Sequence, residues 1–300
     1  MSQIEASRHP KDTPSKPQNG SGNTADRFII KFWGVRGLIP TPGEENNRYG
    51  GNTACVEMQV AGKNLIFDGG TGLRILGNNW LQQQQETTAY LFFTNAQTNR
   101  IQGFPFFAPA FASGNCFHIY GTAASNGASI KQSLSDQMLL PHFPYPLQVM
   151  ESELQFYNLT LDKVIAIDDV TVQTVSINNN TKSVGYRVQW EEHSVAYITD
   201  LQSEIDDSDQ ESIMKLIQGV DLLIANPSYT SSNFCETQTP IDSYWQVAVE
   251  LACKSDVKQI VFSNHHPNDS DDFLDKIQIN LKEEFEQGFL ANEGMVISIC

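Results

Sequence analysis

The sequence predicts an α/β fold in which two β-rich halves pack face to face and helices cover the outside. Three observations carry this reading. Apolar runs of strand length recur along the chain, separated by segments whose apolar residues fall at three-to-four spacing. A weak internal echo pairs Asn64-Leu65-Ile66-Phe67-Asp68-Gly69 with Ser194-Val195-Ala196-Tyr197-Ile198-Thr199-Asp200; each follows another strand and reaches an acid. No linker-like stretch separates the halves, so residues 27–300 read as one domain.

Residues 1–26 are rich in Ser, Pro, Asn, Gly and Lys and nearly free of large apolar side chains. Such a segment buries too little surface to offset its chain entropy, so a disordered tail is expected there. Strands are then expected at Phe28–Trp33, Ala54–Val60, Asn64–Phe67, Ala89–Phe93, Cys116–Tyr120, Val164–Ile167, Val170–Ile177, Val184–Trp190, Ser194–Ile198, Asp221–Ile224, Lys258–Phe262 and Met295–Ile299. Helices are expected at Leu73–Gln84, Ser125–Leu139, Glu204–Gln218, Ile241–Lys254 and Asp271–Gln287. The stripe is clearest in Ile241–Lys254, where Tyr244, Val247, Ala248 and Leu251 share one face.

The formal net charge is −16, with 19 basic residues in all. Nucleic-acid backbones and anionic membranes need a basic footprint, so neither is expected as the main partner. The cysteines (Cys55, Cys116, Cys235, Cys253, Cys300) are odd in number and lack CxxC spacing, which reads as free thiols in a reducing compartment. No apolar run has spanning length and no signal-peptide segment opens the chain, so a cytoplasmic location is expected. Neither a GxSxG elbow, nor a P-loop, nor GxGxxG before a helix occurs.

The most telling segment is Tyr90-Leu91-Phe92-Phe93-Thr94-Asn95-Ala96-Gln97-Thr98-Asn99-Arg100, an apolar strand running into a polar turn and a helical start. It resembles the metal-binding turn of metallo-β-lactamase-fold hydrolases, which reads His-x-His-x-Asp-His after a buried strand. The resemblance extends to Phe32-Trp33-Gly34-Val35-Arg36-Gly37, Tyr49-Gly50-Gly51-Asn52-Thr53, Ile66-Phe67-Asp68-Gly69-Gly70-Thr71-Gly72, the loop Leu140-Pro141-His142-Phe143-Pro144-Tyr145-Pro146 and Trp245–Ala252. Together these are similar to the branch related to phosphoribosyl cyclic phosphodiesterases and ribonuclease Z. The resemblance implies a four-layer α/β/β/α sandwich of two mixed sheets. It also implies a dinuclear metal site at the positions of Asn95, Gln97, Asn99, Arg100, Asn179, Asp200 and either Asn264 or His265, with an accessory position at Asp242.

Carboxamides are poor zinc ligands, and a guanidinium carries no lone pair to offer. Asp200 with one His leaves two usable ligands where a zinc site needs about three or four. The expectation is therefore a metallo-hydrolase scaffold with no catalytic residue, no bound metal and no cofactor, which works by binding a protein partner or a small polar ligand. Asn95, Gln97, Asn179, Asp200, Asp242 and His265 are the ligand-binding candidates, and the His142–Pro146 loop is the candidate lid. A hydrolase with an altered or single-metal site, using Asp200, His265 or His266, is the alternative. A homodimer is expected by analogy with that branch.

The resemblance gives Asp68 a supporting role for the ligand loops. Without metals Asp200 is left without a counter-charge. Arg100 is expected to supply one; the alternative is that it swings out to solvent. Asp242 also reads as an N-cap, and His118 and His142 as packing residues.

Overall fold

The computed structural model describes residues 27–83, 86–178, 181–201, 207–226 and 245–300. In the first half, β1 (Phe28–Gly34), β2 (Cys55–Val60), β3 (Lys63–Phe67), β4 (Thr88–Phe92), β5 (Cys116–Gly121) and β6 (Glu153–Asn158) form one sheet. In the second half, β7 (Val164–Ile167), β8 (Val170–Asn178), β9 (Ser183–Trp190), β10 (His193–Ile198), β11 (Leu222–Ala225), β12 (Ile260–Phe262) and β13 (Gly288–Leu290) form the other. β14 (Val296–Ser298) returns to pair with β1 in the first sheet.

The sequence echo is a topological one. Antiparallel β2–β3 is followed by parallel β3–β4, β4–β5 and β5–β6. Antiparallel β9–β10 is followed by parallel β10–β11, β11–β12 and β12–β13. Parallel neighbours bring their C-terminal ends to one edge of each sheet, which is where open α/β sheets bind their ligands.

Strand alternation explains the layers. Leu65 and Phe67 of β3 join Val195 and Tyr197 of β10 in the core between the sheets. Ile66 faces the other way, onto Leu73 and Leu76 of helix α1 (Gly72–Leu81). That outer layer continues through the short α2 (Thr98–Ile101) and α3 (Ile130–Asp136). Ala196 and Ile198 face outward with α4 (Asp207–Ile217), α5 (Gln246–Lys254) and α6 (Asp271–Glu284). The expected four layers are present.

Two strands, β6 and β13, were not legible as strands. Their sequences Glu153-Leu154-Gln155-Phe156-Tyr157-Asn158 and Gly288-Phe289-Leu290 carry weak apolar signals, and each lies at a sheet edge. Helix α3 is shorter than expected and starts at the Ser129 cap, whose Oγ accepts from the Gln132 N–H. The candidate cap at Asp242 lies outside the described residues; α5 begins after Trp245. His142 is exposed rather than packed, since its loop turns Phe143 rather than His142 onto Phe106, whereas half-buried His118 stacks on Tyr90 at 4.8 Å. The four described cysteines are free thiols. Among the described residues no helix is long and apolar enough to cross a membrane.

Candidate functional site

The site forms where the C-terminal strand ends of both sheets meet. Asp68 follows β3, Asp200 lies just beyond β10 and Asn264 just beyond β12. All three are in the left-handed backbone region, with φ of 62°, 60° and 62°. Asp and Asn tolerate that region better than other side chains, but each such residue still needs local support. The Asp68 N–H donates to the Phe92 carbonyl at 2.9 Å. The Asp200 N–H donates to Asn226 Oδ1 at 2.7 Å.

The turn after β4 is clamped onto Asp68's loop by glycine packing. The Gly69 N–H donates to the Arg100 carbonyl at 2.6 Å, and the Gly103 N–H to the Gly69 carbonyl at 2.9 Å. A Cβ at Gly103 would lie 1.8 Å from the Gly70 carbonyl oxygen, so only glycine allows this approach. The clamp fixes where α2 presents Arg100.

Arg100 is enclosed between the two acids. Its Nη1 donates to Asp68 Oδ2 at 3.0 Å, and its Nη2 to Asp200 Oδ1 at 3.5 Å. The expected pairing with Asp200 is present, but the shorter contact is with Asp68. Asp68 also accepts from the Thr94 N–H at 2.8 Å, from Thr94 Oγ1 at 2.8 Å and from the Tyr197 hydroxyl at 2.9 Å. Asp200 Oδ2 accepts from Asn95 Nδ2 at 2.6 Å and from Ser183 Oγ at 2.5 Å. Asn95 Nδ2 also reaches Ser183 Oγ at 3.0 Å, and its Oδ1 accepts from the Gln97 N–H at 2.9 Å.

Burial sets the electrostatics. Desolvation raises the Asp68 pKa above the ordinary carboxylate value, against the opposing pull of Arg100, Thr94 and Tyr197. Burial works against the charge on Arg100, yet Asp68 and Asp200 outweigh it and hold the guanidinium charged. The Tyr197 hydroxyl is pushed well up by burial and by Asp68, so it acts as a donor.

The remaining candidates are placed as follows. Asn99 is buried beside Arg100, while Gln97 is exposed and joins the network through its backbone. Asn264 is buried next to the Tyr197 hydroxyl. His265 is fully buried; its Nε2 donates to the Ala291 carbonyl at 2.8 Å and its ring meets Tyr49 edge-on at 5.6 Å. Burial, then the Arg36 charge, push its pKa down to about 3. His266 Nδ1 accepts from the Asn268 N–H at 3.2 Å. Asn179 and Asp242 lie outside the described residues. In the candidate lid, Phe143 meets Phe106 edge-on at 5.5 Å.

Sequence reasoning missed Ser183, Thr94, Tyr197 and Asn226. Tyr197 had a signal, as an inward-facing position of the strand that leads to Asp200. Ser183, at the start of β9, had none.

This donor set does not fit a divalent cation. Both Asp200 oxygens and Asp68 Oδ2 already accept hydrogen bonds, and the guanidinium between them would repel a second positive charge. Among the described residues no group of three or more His, Cys, Asp or Glu side chains is arranged to hold a metal ion.

The architecture is that of the metallo-β-lactamase fold. The metallo-β-lactamase-fold protein YhfI from Bacillus subtilis superposes with a TM-score of 0.62 over 91% of this chain and 100% of its own, at 16% identity. A diphosphatase of the PhnP family gives 0.63 over 90% of this chain and 97% of its own, at 15% identity. The short form of human tRNase Z gives 0.59 over 91% of this chain and 99% of its own, at 17% identity. No protein-family model and no curated protein matches the sequence.

Proposed function

We propose that this chain is a non-catalytic protein on a metallo-hydrolase scaffold, acting by binding a protein partner or a small polar ligand at the former catalytic cleft. The observation that carries this reading is the seat of Arg100. A buried, permanently charged guanidinium is paired with Asp68 and Asp200, where the fold's hydrolases would hold cations. The amides at Asn95 and Asn99 agree with it. Asn95 spends its amide N–H on Asp200 and its amide oxygen on the Gln97 N–H, leaving neither aimed at a metal. Asp200 reaches solvent with 18% of its side-chain surface and is the network's point of contact for a ligand.

Metal analysis of protein purified without chelators tests the proposal, together with hydrolysis of an activated phosphodiester in added zinc, manganese or iron. The expected result is metal far below one equivalent per chain and no metal-dependent turnover. Near-stoichiometric metal with turnover abolished by Asp200→Asn would replace this reading with an altered-site hydrolase.

A further inference from the structure

The two halves share one strand arrangement but not one charge. Residues 27–160, which carry β1–β6, hold 8 acidic and 8 basic residues. Residues 161–300, which carry β7–β14, hold 24 acidic and 8 basic residues. Residues 1–26 balance as well, so the whole formal charge of −16 belongs to the second half. Equivalent topologies do not call for unequal charge, and the self-repulsion of like charges works against the compact state. The excess is therefore not explained by the fold.

A groove in the helical layer of that half combines the charge with apolar surface. It lies between the start of α5 and the end of α6, has a volume of about 370 Å³, and is lined by Trp245, Gln246, Val249, Glu250 and Glu284. Trp245 is buried and Val249 half-buried, whereas Glu250 and Glu284 are exposed. Glu283 and Glu286 flank Glu284 and are exposed too. Among the described residues none of these four acids has an ion-pair partner, unlike Asp272 and Asp275, which Arg48 holds, or Asp221, which Lys258 holds. Lys282, beside them in sequence, lies over the Phe289 ring at 5.7 Å instead.

We propose that this groove docks a basic segment of a protein partner, with a Lys or Arg side chain laid along Trp245 and Val249 and its charged head against Glu250 and Glu284. Charge complementarity decides the occupant. Such a side chain has an apolar stem and a cationic head, and the groove offers apolar surface beside unpaired acids. An acidic partner, a nucleic-acid backbone or a second copy of this half would meet like charge there. The field of the whole half steers a basic partner toward this side of the molecule, and the balanced first half does not compete for it. The proposal does not depend on what the cleft binds.

The test titrates an oligolysine peptide of about ten residues into the full chain by isothermal calorimetry, at about 0.05 and about 0.3 M salt. Saturable one-to-one binding is expected, weaker at the higher salt. Glu250→Gln combined with Glu284→Gln removes two charges at exposed positions and is expected to weaken binding about tenfold or more. Glu86→Gln combined with Glu151→Gln removes the same charge from exposed positions of the first half and is expected to change it less than about twofold. Circular dichroism checks that both double variants keep the wild-type fold. The absence of saturable binding overturns the proposal. So does an equal loss in the two double variants, which means that net charge alone attracts the peptide, and so does a groove variant that binds as tightly as the wild type.

Discussion

Replacing Arg100 with Met isolates the energetics of the internal cation. Met keeps a flexible stem of similar length and removes the charge. Asp68 has no side-chain exposure and would keep only the donors from Thr94 and Tyr197. Breaking a buried pair by removing one partner costs about 3–5 kcal/mol. The Asp200 contact adds little, since it is longer and partly wet, so the Asp68 contact sets a loss of about 3–4 kcal/mol near neutral pH. The pH dependence gives the loss its signature. Asp68's folded pKa is already raised by burial, and among the groups that oppose this rise Arg100 pulls hardest. Without it the folded pKa climbs further. An acid whose folded pKa exceeds its unfolded one binds a proton on folding. The variant's stability therefore falls as pH climbs from the ordinary carboxylate pKa of about 4 through the raised folded value. Urea denaturation at about pH 5 and about pH 7.5 should show a smaller deficit at the lower pH. Asp68→Asn in the Arg100→Met background should recover most of the loss, a non-additive cycle. A deficit under about 1 kcal/mol at neutral pH, or no recovery in the double variant, refutes the internal-cation argument.

Three further perturbations follow. His265, pushed down to about pKa 3, binds a proton on unfolding. The native state should lose about 1.4 kcal/mol per pH unit from this group as pH falls from about 6.5 toward 3, and His265→Gln should flatten that slope in acid titrations followed by fluorescence. Buried Glu57 accepts from Trp33 Nε1 at 2.7 Å and Trp80 Nε1 at 3.2 Å. Glu57→Ala leaves both indoles unsatisfied and should cost about 2–4 kcal/mol in urea denaturation; a loss under about 0.5 kcal/mol would contradict the buried-bond reading. Gly103→Ala drives a methyl into the Gly70 carbonyl and should prevent folding or lower the melting temperature by more than about 10 °C. Gly127→Asn, whose Cβ has no neighbour within 4 Å and whose side chain is among those that tolerate a positive φ such as the 84° there, is the control that should shift it far less.

The sandwich was legible because its central strands are buried on both faces and so read as short unbroken apolar runs. In β10, Val195 and Tyr197 go inward and Ala196 and Ile198 outward, an assignment of faces that the structure supplies. The edge strands were not legible because β6 has no buried residue to mark its composition and β13, though largely buried, is only three residues long. In the site, the motif positions gave Asn95, Arg100, Asp200 and Asn264. They gave Asp200 as a partner of Arg100 but not the closer Asp68, because the two acids lie at equivalent ends of two halves and spacing alone cannot rank two distances. Ser183 lies beyond any spacing argument, since only the face-to-face packing of the sheets carries it to Asp200.

The cleft balances its own charge. Asp68, Asp200 and Asn264 hold left-handed conformations at the strand ends, a local cost of about 1–3 kcal/mol each where the surrounding structure enforces it. Two of the three are carboxylates aimed toward one point, and two buried acids without a counter-charge would tend to neutralise by taking up protons. A lysine there could give up its own proton under the same desolvation, whereas a guanidinium stays charged and has donors for both acids at once. Arg100 uses Nη1 for one half of the molecule and Nη2 for the other, and so couples the two sheets through a single residue. With the charge settled internally, a ligand need not bring a cation to stabilise the cleft. Asp200, held by Asn95, Ser183 and Arg100, remains as an oriented acceptor at its mouth.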